Sequence, residues 1–231
     1  MIRKYTFLLV SFFLLQTSCI GEDIVNDFIE PELRILNPIS SLPVPETFQF
    51  NTAYFNNIGI EEEATITWSS SNLDIATIDT SGLLTAISEG VTTISASTQE
   101  NDIFLEQSFP VTITEDGTVV IIEPAVKSGT IVTTSSYLLT GTFTLEEQEN
   151  SNNLLLSVNS DYQATTSLPG LYLYLTNNPN SISGAYSVGP VSVFNGAHDY
   201  TIPETNINDY TYLLYWCQPF GVKVGTGEIL D

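Results

Sequence analysis

The chain of 231 residues sets 27 Asp and Glu against five Lys and Arg, a formal charge of −22, with aromatic residues at 11% and charged residues at only 14%. So acidic a surface repels a phosphate backbone and excludes a nucleic-acid partner. Two cysteines and one histidine are too few for a structural zinc site, and any Ser or Cys hydrolase would have to rely on that one imidazole, His198.

Residues 1–19 begin with Met1-Ile2-Arg3-Lys4, run through the apolar stretch from Tyr5 to Leu15, and close on Gln16-Thr17-Ser18-Cys19. A basic start, a short apolar core and small residues before a cleavage point mark a signal segment. The apolar run is shorter than the roughly 20 residues that a membrane span needs. Its end resembles a bacterial lipobox, with Gln16 where that pattern usually carries an aliphatic residue. The resemblance implies cleavage before Cys19, acylation of that cysteine and a membrane partner held through lipid. Each buried methylene would add about 0.8 kcal/mol to the anchor. The plainer reading is an ordinary secretory signal cleaved nearby. Glu22 and Asp23 resemble the surface-export signal of Bacteroidota lipoproteins, which implies the outer membrane of a bacterial envelope and its exposed face. Residues 20–32 form an acidic tether, and beyond Cys19 the only cations are Arg34, Lys127 and Lys223.

From residue 33 onward apolar residues alternate at period two between Gly, Pro and Asn punctuation, with no long window of helical spacing. The reading is all-β: a sandwich followed by a second compact sandwich or barrel-like domain. In the first module, about residues 33–114, Leu33–Leu36 and Thr47–Phe55 are strand candidates. Ile66 and Trp68 share a face. Ala76–Ile78 and Leu83–Ile87 pair around Thr80-Ser81-Gly82, and Ile94 and Ala96 point inward. Trp68-Ser69-Ser70-Ser71-Asn72, then Ala76-Thr77-Ile78-Asp79 with Gly82, then Gly90 with Thr93-Ile94 resemble the bacterial immunoglobulin-like domain, group two. That resemblance implies an adhesion or spacer module and a core position for Trp68, against the alternative of a sugar-stacking platform. Glu61-Glu62-Glu63 reads as a solvated loop.

Gly117–Pro124 links the modules and is itself a strand candidate. In the second module, residues 117–231, Phe143 and Leu145 share one face. So do Leu154, Leu156 and Val158, and so do Phe220, Val222 and Val224. Leu171-Tyr172-Leu173-Tyr174-Leu175 is apolar on both faces. Gly141 and Phe143, Leu154, Leu156, Asp161 and Tyr162, Pro169, Leu171, Tyr174 and Leu175 resemble in order the DM-thirteen domain, a small module proposed to serve electron transfer. Gly196, Tyr200, Ile202 and Pro203 continue that order, and Trp216, Cys217, Phe220, Val222 and Gly225 complete it. Gly170 stands where that family carries an acid, and Val224 where it carries an aromatic. The resemblance implies a redox role centred on Cys217, as a bare thiol or as a ligand to a group such as haem. Thiolate and imidazole both ligate haem, which makes His198 the candidate second ligand. Against this, a buried free cysteine in an apolar strand behaves as a small inert hydrophobe, and an acidic surround holds a thiol protonated. Calcium at the Asn150–Asn153 or Asn206–Asp209 loops has no ligand spacing to support it. Two functions remain: an envelope protein with a redox partner served by Cys217, or a non-catalytic surface adhesion or ligand-binding protein.

Overall fold

The computed structural model describes residues 27–121, 126–148 and 151–231. The signal segment, Cys19 and most of the tether lie outside the described residues. The first module contains β1 (Glu32–Ile35), β2 (Ile39–Pro43), β3 (Thr47–Gln49), β4 (Thr52–Phe55), β5 (Glu61–Glu62) and β6 (Thr67–Ser70). It continues with β7 (Ala76–Ile78), β8 (Leu83–Ala86), β9 (Gly90–Glu100), β10 (Ile103–Thr114) and β11 (Val120–Ile121). These strands make three sheets, ordered β1-β4-β5, β11-β2-β10-β9-β6 and β3-β8-β7. Leu33, Ile39, Phe50, Leu84, Ile94 and Val111 fill the core that the sheets enclose.

Two local features explain how a short sequence makes three sheets. The run from Thr47 to Phe55 is two strands, not the single one that its alternation suggests. It breaks at Phe50-Asn51, where the Phe50 amide donates to Gly82 O at 3.0 Å and the Asn51 amide to Asn37 Oδ1 at 2.7 Å. The chain changes sheet there while Phe50 drops into the core. A second crossing lies at Leu36-Asn37-Pro38: β1 is antiparallel to β4, whereas β2 runs parallel to β10. Pro38 offers no amide to a ladder, which suits a crossing point. The long β9–β10 hairpin turns on Asn101 and Asp102, with φ of 48° and 66°. Two left-handed residues match the twist of the strands they join, and Asn and Asp tolerate that conformation.

The second module contains β12 (Lys127–Thr133), β13 (Leu139–Glu147), β14 (Leu154–Val158), β15 (Gln163–Ala164) and β16 (Leu171–Thr176). It ends with β17 (Tyr186–Pro190), β18 (His198–Ile202), β19 (Tyr212–Cys217) and β20 (Val222–Glu228). They form one antiparallel sheet, ordered β17-β16-β19-β20-β12-β13-β14-β18 with β15 on β13. The sheet curls into a nearly closed, barrel-like body around a single core. The seam lies between β17 and β18, the two ends of the strand order. Phe220 and Val222 both depart from the expected shared face. Phe220 sits on a short 3-10 turn, Gln218–Phe220, and is 63% exposed, and Val222 is also exposed, whereas Val224, beyond a register shift in the β19–β20 ladder, is fully buried. Pro219 fixes the turn and pulls Phe220 out of strand register.

The modules are joined through Arg34, whose side chain is 9% exposed. Its Nη2 meets Glu32 Oε2 at 2.6 Å, its Nη1 donates to Asn208 O at 2.8 Å, and its guanidinium lies 4.6 Å over the Phe55 ring. Around it, Asn208 Nδ2 donates to Leu36 O at 2.9 Å, and Asn178 Nδ2 donates to Asp27 O at 2.6 Å and Ile58 O at 2.9 Å. Gly59, at φ +76°, lets the backbones touch: a Cβ there would stand 2.9 Å from the Asn177 carbonyl carbon. Beside the joint runs an open cleft of about 780 Å³ between Glu32, Phe109, Lys127 and Asp231.

Candidate functional site

β19 reads Tyr-Leu-Leu-Tyr-Trp-Cys and is apolar on both faces. Leu213, Tyr215 and Cys217 point into the barrel, where each is fully buried. Leu214 and Trp216 point outward and pack with Tyr172, Tyr174 and Ala185 in a second, smaller cluster. The segment after β16 lies against that outer face: Lys223 Nζ donates to Asn180 Oδ1 at 2.9 Å, and Gln218 Nε2 bonds the Tyr174 hydroxyl. Burial pulls the Lys223 ammonium below its ordinary pKa.

Cys217 closes β19 opposite Leu171 and Val222 and carries a free thiol. A reactive thiolate needs a neighbouring cation or a helix N-terminus. Among the described residues Arg34 is committed to the joint and Lys127 to Asp231 at 2.9 Å, while Lys223 is bonded on the outer face. The Cys217 thiol therefore sits as a small apolar group in a packed wall. A haem does not fit here, because Leu171, Leu173, Tyr215 and Val224 occupy the core around the thiol, each at 3% exposure or less.

His198 opens the edge strand β18 and faces inward, as does Tyr200 two residues on. Its Nδ1 lies 2.9 Å from Gly196 O. A carbonyl only accepts, so Nδ1 carries a hydrogen, and in the neutral imidazole Nε2 is then a bare acceptor. The ring contacts Tyr162 at 4.9 Å and Tyr200 at 5.3 Å, both edge-on, and Tyr162 continues to Tyr215 at 6.2 Å. The described contacts thus bring His198 to tyrosines. They reach the Cys217 strand only through Tyr215, which shares the thiol's face two residues away. The His198 Nε2 and the hydroxyls of Tyr162, Tyr200 and Tyr215 are all buried without a hydrogen-bond partner. Burial raises the pKa of all three phenols; Tyr200 raises Tyr162 further while the Tyr215 hydroxyl pulls Tyr162 partly back, and Tyr162 and Tyr200 both raise Tyr215 further. Each unpartnered buried polar group costs about 1–3 kcal/mol. Four such groups would use up much of the roughly 5–15 kcal/mol by which a domain is stable.

Sequence reasoning singled out His198 and missed its tyrosine neighbours as a group. The signal was present in part: His198 and Tyr200 are alternate residues of one strand and must share a face. Gly170, where the DM-thirteen pattern has an acid, is explained by packing: a Cβ there would lie 2.9 Å from Pro219 Cδ. At Asn206–Asp209 the Asp209 carboxylate accepts the Asn206 amide at 2.8 Å and its side-chain amide at 3.2 Å, closing a local turn. Among the described residues no three His, Cys, Asp or Glu gather as a metal site.

Residues 47–103 match the bacterial Ig-like domain, group 2. The match runs from β3 to the first residue of β10 and stops well short of the second module. Within this Ig-like domain Trp68 stacks on Phe50 at 5.5 Å and 23° and packs, half-buried, against the core. No curated protein matches the chain. Among the described residues no helix is long and apolar enough to cross a membrane.

Proposed function

We propose that the protein is a lipid-anchored bacterial envelope protein that acts as a non-catalytic surface adhesion or binding module, with Cys217 as an inert part of the core. The observation that carries this reading is the setting of Cys217: fully buried, flanked by aliphatic side chains and without a cation on its side of the wall. The Ig-like domain supports a surface or adhesion-type role. The Arg34 joint supports a rigid pair of modules, which suits presentation at a fixed distance from a membrane. Anchoring through Cys19, at the outer membrane and facing outward, rests on the sequence of residues 1–23.

Thiol titration of the protein, native and in urea, tests the core role. Cys217 should react with an aromatic disulfide only after unfolding; rapid reaction in the native state would sink the inert reading. Metabolic labelling with a fatty acid, lost in Cys19→Ala, tests the anchor. Protease accessibility on whole cells tests the outward face.

A second reading keeps the electron-transfer role that the DM-thirteen resemblance implies. The ring contacts from His198 through Tyr162 to Tyr215 favour it, since oxidisable side chains lead to the strand that carries Cys217. A visible absorption band in protein purified from its own membrane, abolished by Cys217→Ala, would move the conclusion to that reading.

A further inference from the structure

The strand order of the second module ends on β17 and β18, so the barrel is not closed by a ladder between them. β18 is held to the sheet by β14 alone. Its inward side chains, His198 and Tyr200, meet Tyr162, and Tyr162 meets Tyr215 on β19, five strands away in the sheet order. All four bring a buried polar atom without a partner, and Tyr162 and Tyr215 are 0% exposed. The Tyr162 and Tyr215 hydroxyls lie close enough to act on each other, but no hydrogen bond of full geometry joins any two of the four atoms, which leaves room for one small molecule to bond several of them. In the neutral imidazole His198 Nε2 can only accept, because Nδ1 carries the hydrogen and donates it to the Gly196 carbonyl. Each phenol can donate once and also accept.

We propose that Tyr162, His198, Tyr200 and Tyr215 form an internal binding site for a small neutral hydrogen-bonding molecule, an ordered water, which ties the edge strand β18 to β19 across the unclosed side of the barrel. A water has two donors and two acceptors. It donates to His198 Nε2 and to one phenol oxygen, and accepts the O–H of the other two phenols, so a single molecule has the donors and acceptors to serve all four atoms. Buried waters make two to four such bonds to otherwise unmatched groups and are costly to remove. A cation is the weaker occupant. It would need phenolates as ligands, and burial holds these phenols on the neutral side. The half-buried rings of His198 and Tyr200, on the edge strand, provide the way in.

A crystal structure that resolves ordered water, combined with amide hydrogen exchange on the wild type and on Tyr162→Phe and Tyr215→Phe, tests the site. The expected result is a molecule bonded to at least three of the four atoms. Both variants keep the ring and lose the hydroxyl, so exchange over residues 198–202 should rise about ten-fold while β9 and β10 stay unchanged. Direct bonds among the four groups with nothing between them would overturn the proposal. So would unaltered β18 exchange in both variants. A phenolate-to-metal absorption band on adding a ferric or cupric salt would replace the water by a metal ion. The wild-type structure decides even if a variant fails to fold.

Discussion

Cys217 shows how far one residue's neighbours settle its chemistry. Its wall offers packing and no hydrogen-bond acceptor for a hydroxyl, so Cys217→Ser should cost more than Cys217→Ala although serine is the closer shape. The serine hydroxyl would be buried unmatched, a loss of about 1–3 kcal/mol. Alanine gives up only the sulfur's contacts. Urea unfolding of both variants checks the order; a serine variant as stable as the wild type would mean that the thiol has a polar partner. The burial of Cys217 was legible in the sequence, because Leu213, Leu214, Tyr215 and Trp216 leave β19 no polar face. The place of His198 was not. Period two tells that it shares a face with Tyr200, but not that Tyr162, from a turn 36 residues earlier, and Tyr215, from a strand far along the sheet, meet on that face. Those contacts depend on the curl of the whole sheet.

At the scale of elements, alternation located most strands and failed where a strand changes sheet. Thr47–Phe55 alternates without a break, yet it serves two sheets, because the periodicity of side chains carries no record of which ladder the backbone joins. The face expected from Phe220, Val222 and Val224 failed for the opposite reason: Pro219 imposes a turn at Phe220, and a register shift in the β19–β20 ladder leaves Val222 outside while Val224 points in. Turns were read better. The β7–β8 connection is organised by Asp79, whose Oδ1 accepts the Ser81 hydroxyl at 2.7 Å and the amides of Ser81 at 2.8 Å and Leu83 at 3.0 Å. The Ser81 hydroxyl first, and then these amides, hold the Asp79 carboxyl below the ordinary aspartate pKa. A depressed folded-state pKa gives stability that is present above the unfolded value and lost as pH falls through the folded one. The stability gap between wild type and Asp79→Ala should therefore be constant near neutrality and shrink in acid, below the ordinary aspartate range. Denaturation midpoints of both proteins along a pH series check this, and a gap independent of pH would remove the charge from the account. The carboxylate is exposed, so the expected effect is modest.

For the whole molecule, the decisive residue is one that the sequence presented as a lone cation in a strand. Arg34 is among the buried residues, and it reaches the second module through backbone carbonyls that no motif announces. Its guanidinium suits the place because a planar fork can hold Glu32, the Asn208 carbonyl and the Phe55 face at the same time, which a lysine ammonium cannot do. With Arg34 in place the modules should unfold together, since separating them strands a buried charge and the amide groups of Asn177 and Asn178. Arg34→Ala removes the link while leaving both hydrophobic cores untouched. The loss should be roughly 2 kcal/mol, below the 3–5 kcal/mol typical of breaking a fully buried pair because Glu32 remains half in water. Its signature is cooperativity more than stability. Calorimetry should show one transition in the wild type and two in Arg34→Ala, and Arg34→Lys should fall between them. A single transition in Arg34→Ala would mean that Asn178, Asn208 and the close approach at Gly59 hold the joint without the guanidinium.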